Sequence, residues 1–213
     1  MTVGPAQQKL LSIASPALID APPMLGAKLT KLLGKRLDEL LALLRERNGF
    51  YAFESALHVF PATTKAGLMD LEQWNSDELW RSTYGAMVDR CVFFAEDVFG
   101  CPFAIRDDKV LSMDPENGEL EEIGDDLESF ASHILADFEV ATGQPLAHEW
   151  QTMRGPLAPG RRLFPGIPFV LDGPYEVENL RDVDAAQAMR FRGKLAVQLK
   201  NVPPGAKVEF KFR

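Results

Sequence analysis

Acid–base or metal chemistry in this sequence has to begin with three histidines, His58, His133 and His148, whose side chains ordinarily titrate near neutrality. His148-Glu149-Trp150 opens like the helix of a zinc protease, which needs a second histidine four residues on. Thr152 stands there, so that chemistry is excluded. His133 has Asp137 four residues later on one helical face, the spacing of a solvated pair. His58 lies in the aromatic run from Phe50 to Phe60 and is expected in or beside the core. Nucleophiles fare no better, because no G-x-S-x-G, P-loop or G-x-G-x-x-G is present. Cys91 and Cys101 have no base near them in sequence and read as structural thiols, neighbours at most across two strands. Two cysteines alone make neither a zinc site nor a disulfide scaffold. The expectation is a protein that is not an enzyme, with no catalytic residue, no metal and no cofactor. A deep pocket joining His58 or His148 to a carboxylate would revive the enzyme reading.

Carboxylates are the other possible chemistry. Residues 96–139 hold 14 acids against two bases, Arg106 and Lys109, a net of −12 in a chain whose total is −8. Asp114, Glu116 and Gly118 are spaced faintly like a calcium loop but lack the ligand set of an EF-hand. Asp107-Asp108 and Asp125-Asp126 offer carboxylate pairs of the glycosidase kind. Both pairs stand at turn or cap positions, where Asp serves the local backbone. A protein-binding surface is the third reading, since such a block would steer a basic partner and raise its association rate. A plainly solvated face explains the same run equally well.

These residues must be positioned by an α+β fold. Hydrophobic residues make up 46% of 213, with 14 Phe, enough for one sizeable core. The acidic balance argues against general binding of nucleic acid or anionic membranes. No run approaches the roughly 18 apolar residues of a membrane helix, and no signal pattern opens the chain. A cytoplasmic protein is expected, either monomer or dimer.

Residues 1–27, with four prolines, read as a partly ordered arm with one short helix at Gln7–Ala14. Leu37, Leu40, Leu41 and Leu44 mark a helix over Lys35–Arg47 that Asn48-Gly49 stops. A short helix is predicted around Glu54–His58, and a longer one from Ser76 carrying Trp80 and Tyr84. Strands are predicted at 91–95, 101–105, 109–113 and 120–123, joined by short turns into an antiparallel meander. Asp125-Asp126 caps a helix with a stripe at Leu127, Phe130, Ala131, Ile134, Leu135 and Phe138. A shorter helix follows at 146–153, then a Gly/Pro-rich loop over 155–168. The tail reads as strand (169–171), strand or loop (175–180), a helical turn (185–189) and two final strands, Leu195–Val202 and Lys207–Phe212.

At the meander the residues resemble a known family. Phe93-Phe94-Ala95-Glu96-Asp97-Val98-Phe99-Gly100-Cys101-Pro102-Phe103-Ala104-Ile105 is similar to the central signature of the SUKH superfamily, the fold of the yeast cell-wall-synthesis regulator and bacterial Syd. That signature is an apolar strand, an acidic residue, a Gly turn and a second apolar strand. Val110, Asp114 to Gly118, Ile123 and the Leu127–Leu135 helix continue the pattern in order, so the resemblance spans about residues 35–142. Ile167 to Leu180 resembles a tail of bacterial members related to type VI secretion immunity proteins.

The resemblance implies a SUKH-like mixed or antiparallel sheet flanked by helices over 28–145, with a β-rich C-terminal extension over 146–213 packed on the same unit. It also implies a toxin-neutralising immunity protein that binds a basic, nuclease-type toxin stoichiometrically. An intracellular protein- or peptide-binding adaptor is the alternative. The expected contacts are Asp97, Asp107, Asp108, Glu116, Glu119, Glu121, Glu122, Asp125 and Asp126, with Trp74, Trp80 or Trp150 as exposed anchors. The basic residues Arg190, Arg192 and Lys194 mark the fallback surface.

Overall fold

The computed structural model describes residues 2–200 and 202. Six short apolar segments pair in chain order into one antiparallel sheet. They are β1 (Phe50–Ala52), β2 (Leu57–Val59), β3 (Val92–Asp97), β4 (Pro102–Arg106), β5 (Lys109–Met113) and β6 (Leu120–Gly124). The last four fall where the meander was predicted. The turn between β4 and β5 is the two residues Asp107 and Asp108, at φ +53° and +65°. Left-handed backbone at both positions matches the twist of a hairpin and suits Asp.

The helix predicted around Glu54–His58 is instead the β1–β2 hairpin. Phe53, Glu54 and Ser55 all have positive φ, and the Ala56 N–H closes the turn on the Phe53 carbonyl at 3.0 Å. Tyr51 pairs with His58 and Leu57 with Asp97, so the aromatic run extends the sheet on the β3 side. Aromatic and branched residues favour such a pleated, packed surface.

Helices cover the sheet. The first is α1 (Pro5–Ile13), followed by α2 (Ala27–Leu33) and α3 (Leu37–Glu46), the Leu-rich helix predicted from its spacing. Asn48, just past α3, is buried and ties three segments together. Its side chain accepts from Ala62 N–H at 2.8 Å and donates to the Ala21 carbonyl at 2.8 Å. After a single helical turn, α4 (Leu71–Trp74), the helix predicted from Ser76 breaks into 3-10 turns at Arg81–Thr83 and Gly85–Val88. The cause is the buried Arg81 guanidinium, which draws the chain back by bonding the carbonyls of Val88 (2.8 Å) and Cys91 (3.0 Å).

Beyond the sheet come α5 (Leu127–Ala136), α6 (Phe138–Thr142) and α7 (Gln144–Arg154), all close to the predicted helical stretches. The Glu128 carboxylate on α5 accepts the Ala6 and Gln7 N–H groups at 2.6 and 3.2 Å, capping α1 from another element. The C-terminal part departs most from expectation. The Gly/Pro-rich loop contains β7 (Arg161–Pro165), which pairs antiparallel with β8 (Leu180–Asp184). Residues 169–171 form a 3-10 turn rather than a strand. The strand predicted at Leu195–Val202 is the end of a 15-residue helix, α8 (Ala185–Leu199). Ala185, Ala188, Met189, Arg192, Leu195 and Ala196 bury one helical face, and that packing overrides the β propensity of Val197. The strand predicted at Lys207–Phe212 lies outside the described residues.

The path of α8 depends on Gly193. A Cβ there would stand 2.2 Å from Thr83 Oγ1 and 2.9 Å from Tyr84 Cδ2. Helix propensity alone would make Gly193→Ala stabilising by about 1 kcal/mol. Overpacking against the Thr83–Tyr84 turn outweighs it, so Gly193→Ala is expected to destabilise by about 1–3 kcal/mol. Urea unfolding of the two proteins checks this, and a gain in stability would refute the packing argument.

Candidate functional site

The nine predicted contact residues serve different purposes. Asp97 is buried at the end of β3, where one carboxylate oxygen accepts the N–H groups of Phe99 and Cys101, each at 2.8 Å. It folds the β3–β4 turn, with Gly100 at φ +76°. Glu116 is buried as well. It accepts the Val170 N–H at 2.8 Å and lies 3.8 Å from Arg192 Nε, so it clasps the C-terminal segment. As surface contacts, these two are corrected: both carboxylates are consumed by the fold. Asp107 pairs with Arg90, and Asp108 pairs with Lys35 at 3.2 Å. Asp126 caps α5 by accepting the Ser129 N–H at 2.8 Å. Glu122 and Asp125 share the Lys109 ammonium. Glu119 and Glu121 are exposed and have no cationic partner among the described residues.

The two unpaired glutamates edge a trough of about 820 Å³ between the sheet and the α5–α6 pair. Phe103, Met113 and Leu120 line its floor, and Asp114, Glu119 and Glu121 supply its exposed carboxylates. His133 lines it too, rather than forming an ion pair with Asp137. A smaller cleft of about 240 Å³ shares Cys101 and Asp114 with the trough and adds Phe169, Val170 and Tyr175. Tyr175 is 64% exposed and stacks on Phe169 with centroids 3.9 Å apart. Val140, at 80%, stands on the trough's α6 side. These are the exposed apolar side chains near the carboxylates. The expected anchors Trp74, Trp80 and Trp150 are all buried, and so is Arg192 of the fallback surface. Cys91 and Cys101 are free thiols at opposite ends of the β3–β4 pair.

A second concavity, of about 380 Å³, is lined by Tyr51, His58, Phe60, Trp74 and Glu96, with exposed Lys65 also on its wall. Glu96 Oε1 lies 3.2 Å from His58 Nδ1 and 2.9 Å from Arg162 Nε, all three side chains being buried. Burial would raise the Glu96 pKa, but Arg162 and then His58 outweigh it and hold the carboxyl below its ordinary value. Burial lowers the His58 pKa, with the Glu96 hydrogen bond opposing it. The neutral ring therefore carries its proton on Nδ1, facing the carboxylate, and presents Nε2 as an acceptor. His58 was read correctly as a core residue, whereas Arg162 and Tyr175 were missed. Glu96 inside an all-buried strand is the one signal that a buried cation had to exist. Nothing in local spacing pointed to Arg162.

Burial pushes the Asp97 carboxyl up to about 7, against the Cys101 N–H and the Arg192 charge, which lower it. The unfolded value is about 3.9, so between these limits the folded state holds the extra proton. This contribution to stability is complete below about pH 4 and is lost as pH rises through about 7. Asp97→Asn keeps an acceptor for Phe99 and Cys101 and carries no charge. Relative to the variant, the parent protein is expected to lose melting temperature across that interval in parallel thermal scans. Parallel pH profiles for the two proteins would contradict the assignment.

No family model matches this chain, and no curated protein matches it. Among solved structures it is similar to the crystal structure of Atu4351 from Agrobacterium tumefaciens, with a TM-score of 0.57 and 16% identity over 86% of each chain. At that identity the likeness is one of fold: an α+β architecture, here an antiparallel sheet flanked by helices.

Proposed function

We propose that this chain is a SUKH-type immunity protein that neutralises a basic, nuclease-type toxin by stoichiometric contact at the trough. The observation that carries the reading is that unpaired Glu119 and Glu121 share the trough with exposed Val140, beside the adjoining cleft that holds exposed Val170 and Tyr175. Exposed carboxylates steer a cationic partner and quicken encounter, while a rigid aromatic and apolar side chains hold it once docked. Inhibition by occlusion needs no catalytic group on this chain.

The test is affinity capture with the tagged protein from its native lysate, beside a Glu119→Lys/Glu121→Lys variant. These positions leave the α5 cap and the Lys109 pairs untouched, so folding is expected to be nearly unchanged. The expected result is recovery of a basic toxin encoded beside this gene, with association at least about tenfold slower for the variant. Recovery of only housekeeping proteins would favour the adaptor reading, and equal capture by the variant would move the interface away from the trough.

An acid–base role for the His58–Glu96 pair is the second reading. It is favoured by the oriented, neutral imidazole on the wall of the 380 Å³ cavity. Nuclear magnetic resonance titration of the His58 ring is expected to show protonation below the ordinary value of about 6.5. The unfolded chain then takes up this proton first, so His58 lowers stability as pH falls below about 6.5. A His58 that titrates at or above that value would remove the neutral base.

A further inference from the structure

The six-stranded sheet has two edges, and the chain treats them differently. Along the outer side of β1 run residues 15–19. The Ser15 N–H donates to the Tyr51 carbonyl at 2.7 Å, and Ser15 Oγ accepts the Tyr51 N–H at 3.0 Å. Leu18 and Ile19 continue the contact, donating to the carbonyls of Gly49 (2.9 Å) and Asn48 (3.2 Å). That edge is closed.

At the other edge stands β6. The Asp114 N–H donates to the Glu119 carbonyl at 2.9 Å, which sets the phase of the β5–β6 ladder. In the register Met113–Leu120, Ser112–Glu121 and Leu111–Glu122, alternate residues of β6 face β5. Glu119 and Glu121 direct their backbone groups inward; Leu120 and Glu122 direct theirs outward. Among the described residues no bond outside the sheet's own ladder reaches the backbone groups of Leu120 or Glu122, and the ladder slips by one residue only past Glu122, between it and Gly124. Natural sheets seldom leave an edge this way unless it is blunted or used. Here the blunting is acidic: Glu121 and Glu122 are exposed on the strand, and Glu119 precedes it. Two such edges repel each other, so a second copy of this chain is a poor partner, while a cationic strand is a good one.

We propose that β6 accepts an extended basic segment of the partner protein as an additional strand. The main chain of that segment bonds Leu120 and Glu122, and its Lys or Arg side chains meet Glu119 and Glu121. Main-chain pairing supplies affinity, and the acidic side chains and the Phe103–Leu120 part of the trough supply preference. The inference rests on the protein-binding reading above and adds the mode of binding to it.

The probe is a short synthetic peptide alternating Lys and Val, compared with the same peptide N-methylated at alternate residues. The two carry equal charge and differ in main-chain donors. On binding the first, the amides of Leu120 and Glu122 should shift and gain protection from hydrogen exchange. N-methylation should weaken binding by about tenfold or more, the loss of one or two charge-independent hydrogen bonds. Glu122→Pro removes an outward donor that β5 does not use and should weaken binding by a similar factor, whereas Glu122→Ala should retain most of it. Equal affinity for both peptides, or unchanged Leu120 and Glu122 amides, would overturn strand addition. The protein-binding reading is judged separately. It survives if Glu119→Lys/Glu121→Lys lowers capture of the partner, its interface moves away from the trough if capture is equal, and it falls if no partner is captured.

Discussion

The buried ion pair between Glu96 and Arg162 joins the two halves of this protein. Glu96 stands on β3, a strand buried along its whole length, and Arg162 on β7, in the C-terminal hairpin. Both side chains are about 1% exposed. Neither charge is tolerable there alone, because leaving one unpaired in a protein interior costs about 3–5 kcal/mol. The pair is also engaged sideways: His58 bonds the carboxylate, and the guanidinium lies over the Tyr51 ring at 5.6 Å. β1, β2, β3 and β7 thus meet at one charged centre. A second clasp repeats the logic, with Glu116 reaching Val170 N–H and Arg192. Through these contacts a hairpin and a helix that share no strand pairing with the main sheet are fixed against it.

That arrangement explains why the acidic block does not act as one surface. A net of −12 over 44 residues looks uniform in sequence. In three dimensions the carboxylates divide between interior clasps, turns and caps, surface ion pairs with Lys35, Arg90 and Lys109, and a small remainder without cations. Of that remainder Asp114, Glu119 and Glu121 lie at the trough and along β6, while Glu139 stands exposed on α6. Charges committed to the fold are held at fixed distances from their partners and are largely neutralised, so they contribute little to long-range attraction. The electrostatic face is therefore narrower than the composition implies, and it coincides with the open edge of the sheet.

The two concavities differ in kind. The trough is wide, bordered by carboxylates and next to exposed apolar side chains, features suited to another chain. The His58 cavity is smaller, with an aromatic wall and an internal base oriented by a charged network, features suited to a small molecule. They lie toward opposite edges of one sheet. The covering of β1 by residues 15–19 separates their surroundings, since the same N-terminal segment that closes one edge also supplies Leu18 to the His58 cavity.

Much of the fold was legible in the sequence wherever the governing forces are local. The Leu spacing of α3, the Asp107-Asp108 turn, the Asp126 cap and the apolar runs of β3 to β6 each follow from interactions within a few residues. So do the turn position of Asp107-Asp108 and the Thr152 that stands where a zinc-protease helix needs its second histidine. Tertiary packing decided the rest. Phe50 to Phe60 became a hairpin because β3 offered an edge to pair with, and residues 195–199 became helix because α8 had a groove to fill and Gly193 let it approach. Which carboxylates are buried depended on Arg162 and Arg192 arriving from far along the chain, and Trp74 and Trp80 are hidden by packing on Phe60, Phe93 and Tyr84. A sequence shows how much charge and apolar surface it contains. Only the folded chain determines which of it is already spent on itself, because burial and pairing are properties of neighbours in space.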